Sequence, residues 1–129
     1  VFLKELLRKQ GKQIRNSKVA VLGLAMKDYS NDDRISPPID ICKLLIDTGA
    51  QVKAFDPVVP TEYDFKVKSE KEALQDADAV LILTKQYDIN FDDYEYMAKL
   101  MNEKPVCVDT KAVVNAVEAR KYGFLYWRI

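Results

Sequence analysis

Histidine is absent from the 129-residue sequence, and cysteine occurs only twice, as Cys42 and Cys107. Because histidine is the commonest general base and the commonest metal ligand, its absence removes two frequent kinds of catalytic site. Both cysteines stand inside apolar stretches, without the further cysteine or histidine of a metal-binding set. We therefore interpret them as buried thiols of a protein in a reducing cytoplasm, and predict no metal site and no catalytic residue in this chain.

An excess of charge of either sign is also lacking, because 20 Lys and Arg residues balance 20 Asp and Glu residues. Proteins that bind DNA or RNA normally carry a basic excess, so no nucleic-acid partner is predicted. No apolar run approaches the roughly 20 residues that cross a bilayer, and no signal-peptide pattern follows Val1. These absences predict a cytoplasmic protein with no membrane segment.

Apolar runs typical of buried strands alternate with helical patterns along the whole chain. Residues 1–16 are predicted to form an N-terminal helix and lead-in, and residues 17–129 a single ligand-binding domain. Such alternation is typical of right-handed βαβ units. It predicts a Rossmann-like, three-layer α/β/α domain whose five parallel strands have the order 3-2-1-4-5. The five strands are predicted at 19–24, 51–55, 79–83, 106–108 and 124–127.

Ligands of such sheets bind outside the carboxyl ends of the strands. The longest polar segment there precedes a helix predicted to be capped by Ser36, whose free amides and partial positive charge are suited to a phosphate. Lys27 and Arg34 add full positive charges. An anion site is one interpretation of this segment. A solvated loop, in which Arg34 pairs only with Asp32 or Asp33, is the other.

The turn after the first strand argues against dinucleotide binding in this chain. The G-x-G-x-x-G fingerprint needs three glycines, whereas here Gly23 stands alone before the bulky Met26. A phosphorylation receiver domain, which has an acidic pair directly after the first strand, fits less well because Asp32 and Asp33 come too late. It stays open as an alternative, together with a free-standing nucleotide-binding module.

Motifs spread over most of the chain stand in the order of a known family. Residues 18–27 read K-V-A-V-L-G-L-A-M-K, residues 33–37 read D-R-I-S-P, and residues 49–57 read G-A-Q-V-K-A-F-D-P. Residues 77–84 and the closing G-F-x-Y segment at 123–126 continue the pattern. Together they resemble the C-terminal domain of the UDP-glucose/GDP-mannose dehydrogenase family, with its V-L-G-x-A-F-K, D-x-R-x-S-P and G-A-x-V-x-x-[YF]-D-P motifs.

The resemblance implies a division of labour between domains. Family members oxidise the primary alcohol of a nucleotide-sugar to a carboxylate in two NAD-dependent steps. An N-terminal domain binds NAD, a central helix forms a homodimer, and the C-terminal domain holds the UDP part. Their nucleophilic cysteine lies upstream of the central helix, and neither Cys42 nor Cys107 matches it. The chain is thus expected to be the UDP-sugar-binding domain of a nucleotide-sugar 6-dehydrogenase, without catalysis of its own.

The resemblance also implies which residues of this domain contact the substrate. Lys27 matches the family lysine that contacts the nucleotide-sugar. Met26 stands where the family often has phenylalanine, next to the uracil or ribose, and Leu24, Ala25 and Met26 are expected to lend backbone groups to the same site.

Arg34 matches the arginine of D-x-R-x-S-P, and is expected mainly to organise the loop by pairing with Asp33. Two departures from the family concern the ends of later strands. Lys111 stands where the family has the substrate-contacting arginine of D-x-R-N, and residues 84–86 read T-K-Q in place of T-x-W. Lysine keeps the charge of arginine but loses its planar fork. We expect a divergent member that acts on UDP-glucose or on a UDP-N-acetylhexosamine, and the sequence leaves the sugar open.

Overall fold

A computed structural model describes residues 2–128, with the side chain of Phe2 left outside that description. The predicted segments 1–16 and 17–129 therefore have their outer ends, Val1 and Ile129, outside the described residues, and their boundary stays a prediction. The elements in chain order are α1 (Phe2–Lys9), a 3₁₀ turn (Ile14–Asn16), β1 (Lys18–Leu22), α2 (Pro37–Asp47), β2 (Gln51–Phe55), α3 (Glu70–Leu74), β3 (Ala79–Ile82), α4 (Tyr94–Leu100), β4 (Val106–Asp109), α5 (Ala116–Lys121) and β5 (Leu125–Arg128).

All strands pair in parallel in one five-stranded sheet, which confirms the predicted fold class. The predicted strand order, 3-2-1-4-5, is wrong, because the observed order is β2-β1-β3-β4-β5. The chain crosses back over β1 after β2, so β3 lies between β1 and β4. The physical reason is burial. Every residue of β3 is buried, whereas β2 exposes Gln51 and half-exposes Lys53, as suits the edge of the sheet.

Helices cover both faces of the sheet and enclose two cores. Helices α1 and α2 pack on one face, where Leu6 and Leu7 of α1 join the same apolar cluster as β1. Helices α3, α4 and α5 cover the other face. Cys42 and Cys107 are buried on opposite faces, as predicted for core thiols. Burial raises the pKa of Cys42 to about 12 and raises that of Cys107 as well.

The short helices begin at polar side chains that accept a hydrogen bond from a backbone amide of the first turn. Ser69 accepts from the amide of Glu72 at 3.1 Å, as its capping box predicts. Asp93 precedes α4 and accepts from the amide of Tyr96 at 3.2 Å. Every described helix falls short of the length and apolarity that a membrane crossing requires.

Candidate functional site

The turn after β1 brings two strand ends into direct contact through Gly23. Its φ is +94°, and its amide donates to the carbonyl of Phe55 at 2.9 Å. A Cβ at this position would lie 2.6 Å from the backbone nitrogen of Thr84 and closer still to its carbonyl oxygen. The glycine therefore allows the close approach of the turn after β1 to the segment after β3, which no larger residue at this position would permit.

A buried carboxylate organises the carboxyl edge of the sheet. Asp56 is 2% exposed and follows β2. Its oxygens accept from the amides of Leu24 at 2.8 Å, Val58 at 2.8 Å and Val59 at 3.0 Å. The side-chain amide of Gln86 donates to the same carboxylate at 3.1 and 3.3 Å. Asp56 thus ties together the segments that follow β1, β2 and β3.

Two polar residues directly after β3 hold the loop that follows β1. Thr84 donates its hydroxyl to the carbonyl of Ala25 at 3.0 Å, and Gln86 donates to the carbonyl of Ser30 at 2.7 Å. Thr84 is 1% and Gln86 3% exposed. The sequence prediction did not assign a role to these residues, although polar side chains that end an apolar strand are a usable signal. Gln86, at the place of the family's tryptophan, anchors the loop by hydrogen bonds.

The three residues expected to lend backbone groups lie at the start of that loop. The side chains of Leu24 and Ala25 are buried in the core, whereas Met26 is 44% exposed. The amide of Met26 donates to the carbonyl of Asp32 at 2.7 Å, so this backbone group, like the amide of Leu24 and the carbonyl of Ala25, is bonded within the fold. Lys27 is exposed, and its ammonium makes no hydrogen bond or ion pair within residues 2–128.

Arg34 organises the loop through a different carboxylate from the one predicted. Its guanidinium donates to both oxygens of Asp32, at 3.0 and 2.7 Å, and these bonds lower the pKa of Asp32 to about 2. Asp33 instead accepts from the hydroxyls of Thr61, at 3.1 Å, and Tyr63, which follow β2. The expected pairing of Arg34 with Asp33 is wrong. The side chain of Asp32 lies against the guanidinium of Arg34, whereas the side chain of Asp33 lies against the segment after β2.

The start of α2 does not offer the free amides that the sequence suggested. Ser36 lies at the N-cap position, but its hydroxyl donates to the carbonyl of Leu24 at 2.7 Å and accepts no capping bond. Pro37 and Pro38 fill the first two helical positions and have no N–H. Asp40 adds a negative charge to the first turn. An anion has therefore little to bind at this helix end.

Lys111 reaches a carboxylate of the β1 loop. Its ammonium lies 3.1 Å from Oδ1 of Asp28, and the ammonium of Lys85 lies 3.9 Å from Oδ2. The backbone amide of Lys85 also donates to Asp28 at 3.0 Å. Burial acts to raise the pKa of Asp28, but the bonds from Lys85 and Lys111 outweigh it, so the pKa is lowered. Three strand ends thus meet at one carboxylate.

Two tyrosines close the same edge with a ring stack. The rings of Tyr29 and Tyr87 lie 4.3 Å apart between centroids and are inclined by 20°. The amide of Tyr29 donates to the carbonyl of Lys85 at 2.8 Å, and the ammonium of Lys85 lies 5.6 Å from the Tyr29 ring centre. The stack fixes the loops after β1 and β3 to one another. Sequence spacing gave no signal for it, since the two loops meet only through the fold.

Comparison with known proteins gives matches over most of the chain. The model of the UDP-glucose/GDP-mannose dehydrogenase family, UDP binding domain, matches residues 20–116. UDP-glucose 6-dehydrogenase of Rhizobium meliloti is 33% identical over 122 residues, which cover 90% of this chain and 28% of the relative. The corresponding enzyme TuaD of Bacillus subtilis is 32% identical over 124 residues, covering 90% of this chain and 26% of the relative.

Solved structures agree with these sequence matches. NDP-N-acetyl-D-galactosaminuronic acid dehydrogenase of Methanosarcina mazei superposes with a TM-score of 0.87 at 28% identity, over 97% of this chain and 27% of the other. UDP-N-acetyl-mannosamine dehydrogenase of Staphylococcus aureus superposes with a TM-score of 0.73 at 33% identity, over 98% of this chain and 28% of the other. This chain thus spans little more than a quarter of the length of the relatives that it matches.

Proposed function

Since this chain belongs to the UDP-glucose/GDP-mannose dehydrogenase family, as its UDP binding domain, we propose that it holds the nucleotide of a UDP-sugar for oxidation by a longer NAD-dependent dehydrogenase. The observation that carries the proposal is the family match over residues 20–116, which includes the loop at the carboxyl edge of the sheet. The receiver-type alternative loses support, because that match assigns the fold to a different family.

The nucleotide site that we propose lies on the loop after β1. Lys27 offers an exposed ammonium that no carboxylate within residues 2–128 neutralises by an ion pair, and Met26 beside it offers an exposed apolar side chain. Such a pair suits a phosphate and an adjoining base or ribose. The proposed site also includes Leu24, Ala25 and Arg34, which shape the loop around Lys27. Lys111 belongs to it as well and lies across the edge of the sheet from Lys27.

NAD is proposed to bind to another part of the longer protein. The turn after β1 has Gly23 alone where the dinucleotide fingerprint has three glycines, which supports this assignment. The nucleophile is proposed to come from elsewhere as well, because burial and raised pKa make Cys42 and Cys107 poor thiolates. The domain contributes binding energy from the remote UDP group, which orients the reacting sugar carbon.

The substrate of the longer protein is proposed to be UDP-glucose or a UDP-N-acetylhexosamine, oxidised to the uronic acid. The named activities of the relatives include UDP-glucose 6-dehydrogenase and UDP-N-acetyl-mannosamine dehydrogenase, which supports both sugars. A homodimer and a cytoplasmic location complete the proposal.

Replacing Lys27 by alanine is expected to weaken the binding of UDP by about 1.5–3 kcal/mol, the range of a charge-assisted hydrogen bond. Thermal unfolding should change little, because the exposed side chain packs against few neighbours. Isothermal titration calorimetry with UDP measures the effect. Lys43→Ala, which removes an exposed lysine of α2, is the matched control and should bind UDP as the parent does. Equal affinities for the Lys27→Ala variant and the parent would exclude Lys27 from the site.

A further inference from the structure

Two lysines from different strand ends converge on one carboxylate at the edge proposed to bind the nucleotide. Lys85 follows β3 and Lys111 follows β4, and their ammonium groups lie 3.9 and 3.1 Å from the carboxylate of Asp28. The three side chains are between 27% and 32% exposed, so the cluster is partly shielded yet reachable from solvent.

The backbones that carry these lysines are held in place. Lys85 donates its amide to Asp28 and accepts the amide of Tyr29 at 2.8 Å. On the other side, Asp109 is fully buried and accepts the amide of Lys111 at 2.9 Å. Asp109 is itself fixed by the hydroxyl of Tyr126, which donates to it at 2.9 Å. The fold therefore fixes the backbones from which both lysines extend, and their ammonium groups meet at the carboxylate of Asp28.

Two ammonium groups share one carboxylate at this place. Asp28 is the ion-pair partner of both Lys85 and Lys111, whereas the nearby carboxylate of Asp109 accepts from the amides of Lys111 and Val114 and from the hydroxyl of Tyr126. A phosphate carries more negative charge and more acceptor oxygens than a carboxylate, so it matches the pair better. The start of α2, the other candidate for an anion, has prolines without an N–H at its first two helical positions and an acidic residue in its first turn.

We propose that Lys85 and Lys111 form a phosphate subsite for the nucleotide, in which the carboxylate of Asp28 holds the place of the phosphate until the ligand displaces it. This inference rests on the proposed function, which already includes Lys111, and adds to it Lys85 as a second contact residue and Asp28 as an internal competitor. Asp28 lowers the affinity for the ligand because both lysines must exchange its carboxylate for the incoming phosphate.

The test is Asp28→Asn, which removes the charge but keeps an oxygen for the amide of Lys85. Calorimetry should show that pyrophosphate and UDP bind about two- to tenfold more tightly, which corresponds to the strength of partly exposed ion pairs. Lys85→Met and Lys111→Met should each weaken the binding of both ligands by a similar factor. Asp47→Asn, at the exposed C-terminal end of α2, removes the same charge at the opposite edge and should leave both affinities unchanged.

A second comparison separates competition from a merely structural role. In a Lys85→Met/Lys111→Met background, Asp28→Asn should change the affinity for pyrophosphate less than about twofold, because the charges with which Asp28 competes are gone. Weaker or unchanged binding by Asp28→Asn in the parent background would overturn the subsite. The subsite would also be overturned if Asp28→Asn changed the affinity for UDP-glucuronate but not for UDP-glucose. The two lysines would then bind the carboxylate of the sugar and not a phosphate.

Failure of the broader proposal gives a different pattern. If the parent chain binds pyrophosphate with the expected response to Asp28→Asn but shows no preference for UDP over pyrophosphate, the subsite is supported and uridine recognition fails.

Discussion

Replacing Gly23 by alanine is expected to lower the free energy of unfolding by about 3–4 kcal/mol, combining left-handed backbone strain with overpacking. The added Cβ would lie 2.6 Å from the backbone nitrogen of Thr84, and neither backbone can move away without breaking strand contacts. Gly23 also donates to Phe55, so any shift weakens the pairing of β1 with β2. Urea denaturation measures the loss as a lower midpoint with an unchanged slope.

Gly123 provides the matched control for this effect. Its φ is also +94°, but a Cβ there would meet nothing within 4 Å. Gly123→Ala is therefore expected to cost only the backbone strain, about 1–2 kcal/mol. Equal losses of unfolding free energy at the two glycines would show that the contact of the new Cβ with Thr84 adds no cost beyond the backbone strain.

Replacing Asp56 by alanine is expected to destabilise the domain by about 3–5 kcal/mol, because each buried donor left without an acceptor costs about 1–3 kcal/mol. The amides of Leu24, Val58 and Val59 and the side chain of Gln86 all donate to this carboxylate. The loop after β1 should loosen as well, so UDP affinity should fall together with stability. Urea denaturation and calorimetry on the same preparation measure both quantities.

Asp56→Asn separates the charge from the hydrogen bonds. Asparagine keeps one acceptor oxygen, so a smaller loss of about 1–3 kcal/mol is expected, from the donors that face its NH₂ group. If Asp56→Ala unfolded at the same urea concentration as the parent, the role assigned to Asp56 would be wrong.

The fold class was accessible from the sequence because its signals are local. Apolar runs alternate with amphipathic segments, and each of the five strands of the structure overlaps a predicted one. Strand order is not local, since it depends on whether β3 pairs with β2, as predicted, or with the free edge of β1, as observed. The exposed Gln51 of β2 and the continuous burial of β3 indicate which strand lies at the edge of the sheet. This indication emerges only when the two strands are compared with each other.

The location of a candidate residue could be predicted where it follows from the residue's place in the chain. Lys27 lies on the loop at the carboxyl edge, as expected from its position after β1. Partners contributed by distant segments were not predictable. Lys111 pairs with Asp28, because the meeting of their loops is set by the folded sheet. For Arg34 the sequence offered both Asp32 and Asp33, and only the side-chain directions in the fold select Asp32.

The most direct measurement of the central claim is a calorimetric titration of this chain with UDP, GDP and NAD under the same conditions. We predict that UDP binds and that NAD binds poorly or not at all, because Gly23 stands alone where the dinucleotide fingerprint needs three glycines. Binding should weaken with added salt, because the contacts proposed for Lys27, Lys85 and Lys111 are ionic. Tighter binding of NAD than of UDP would contradict the account.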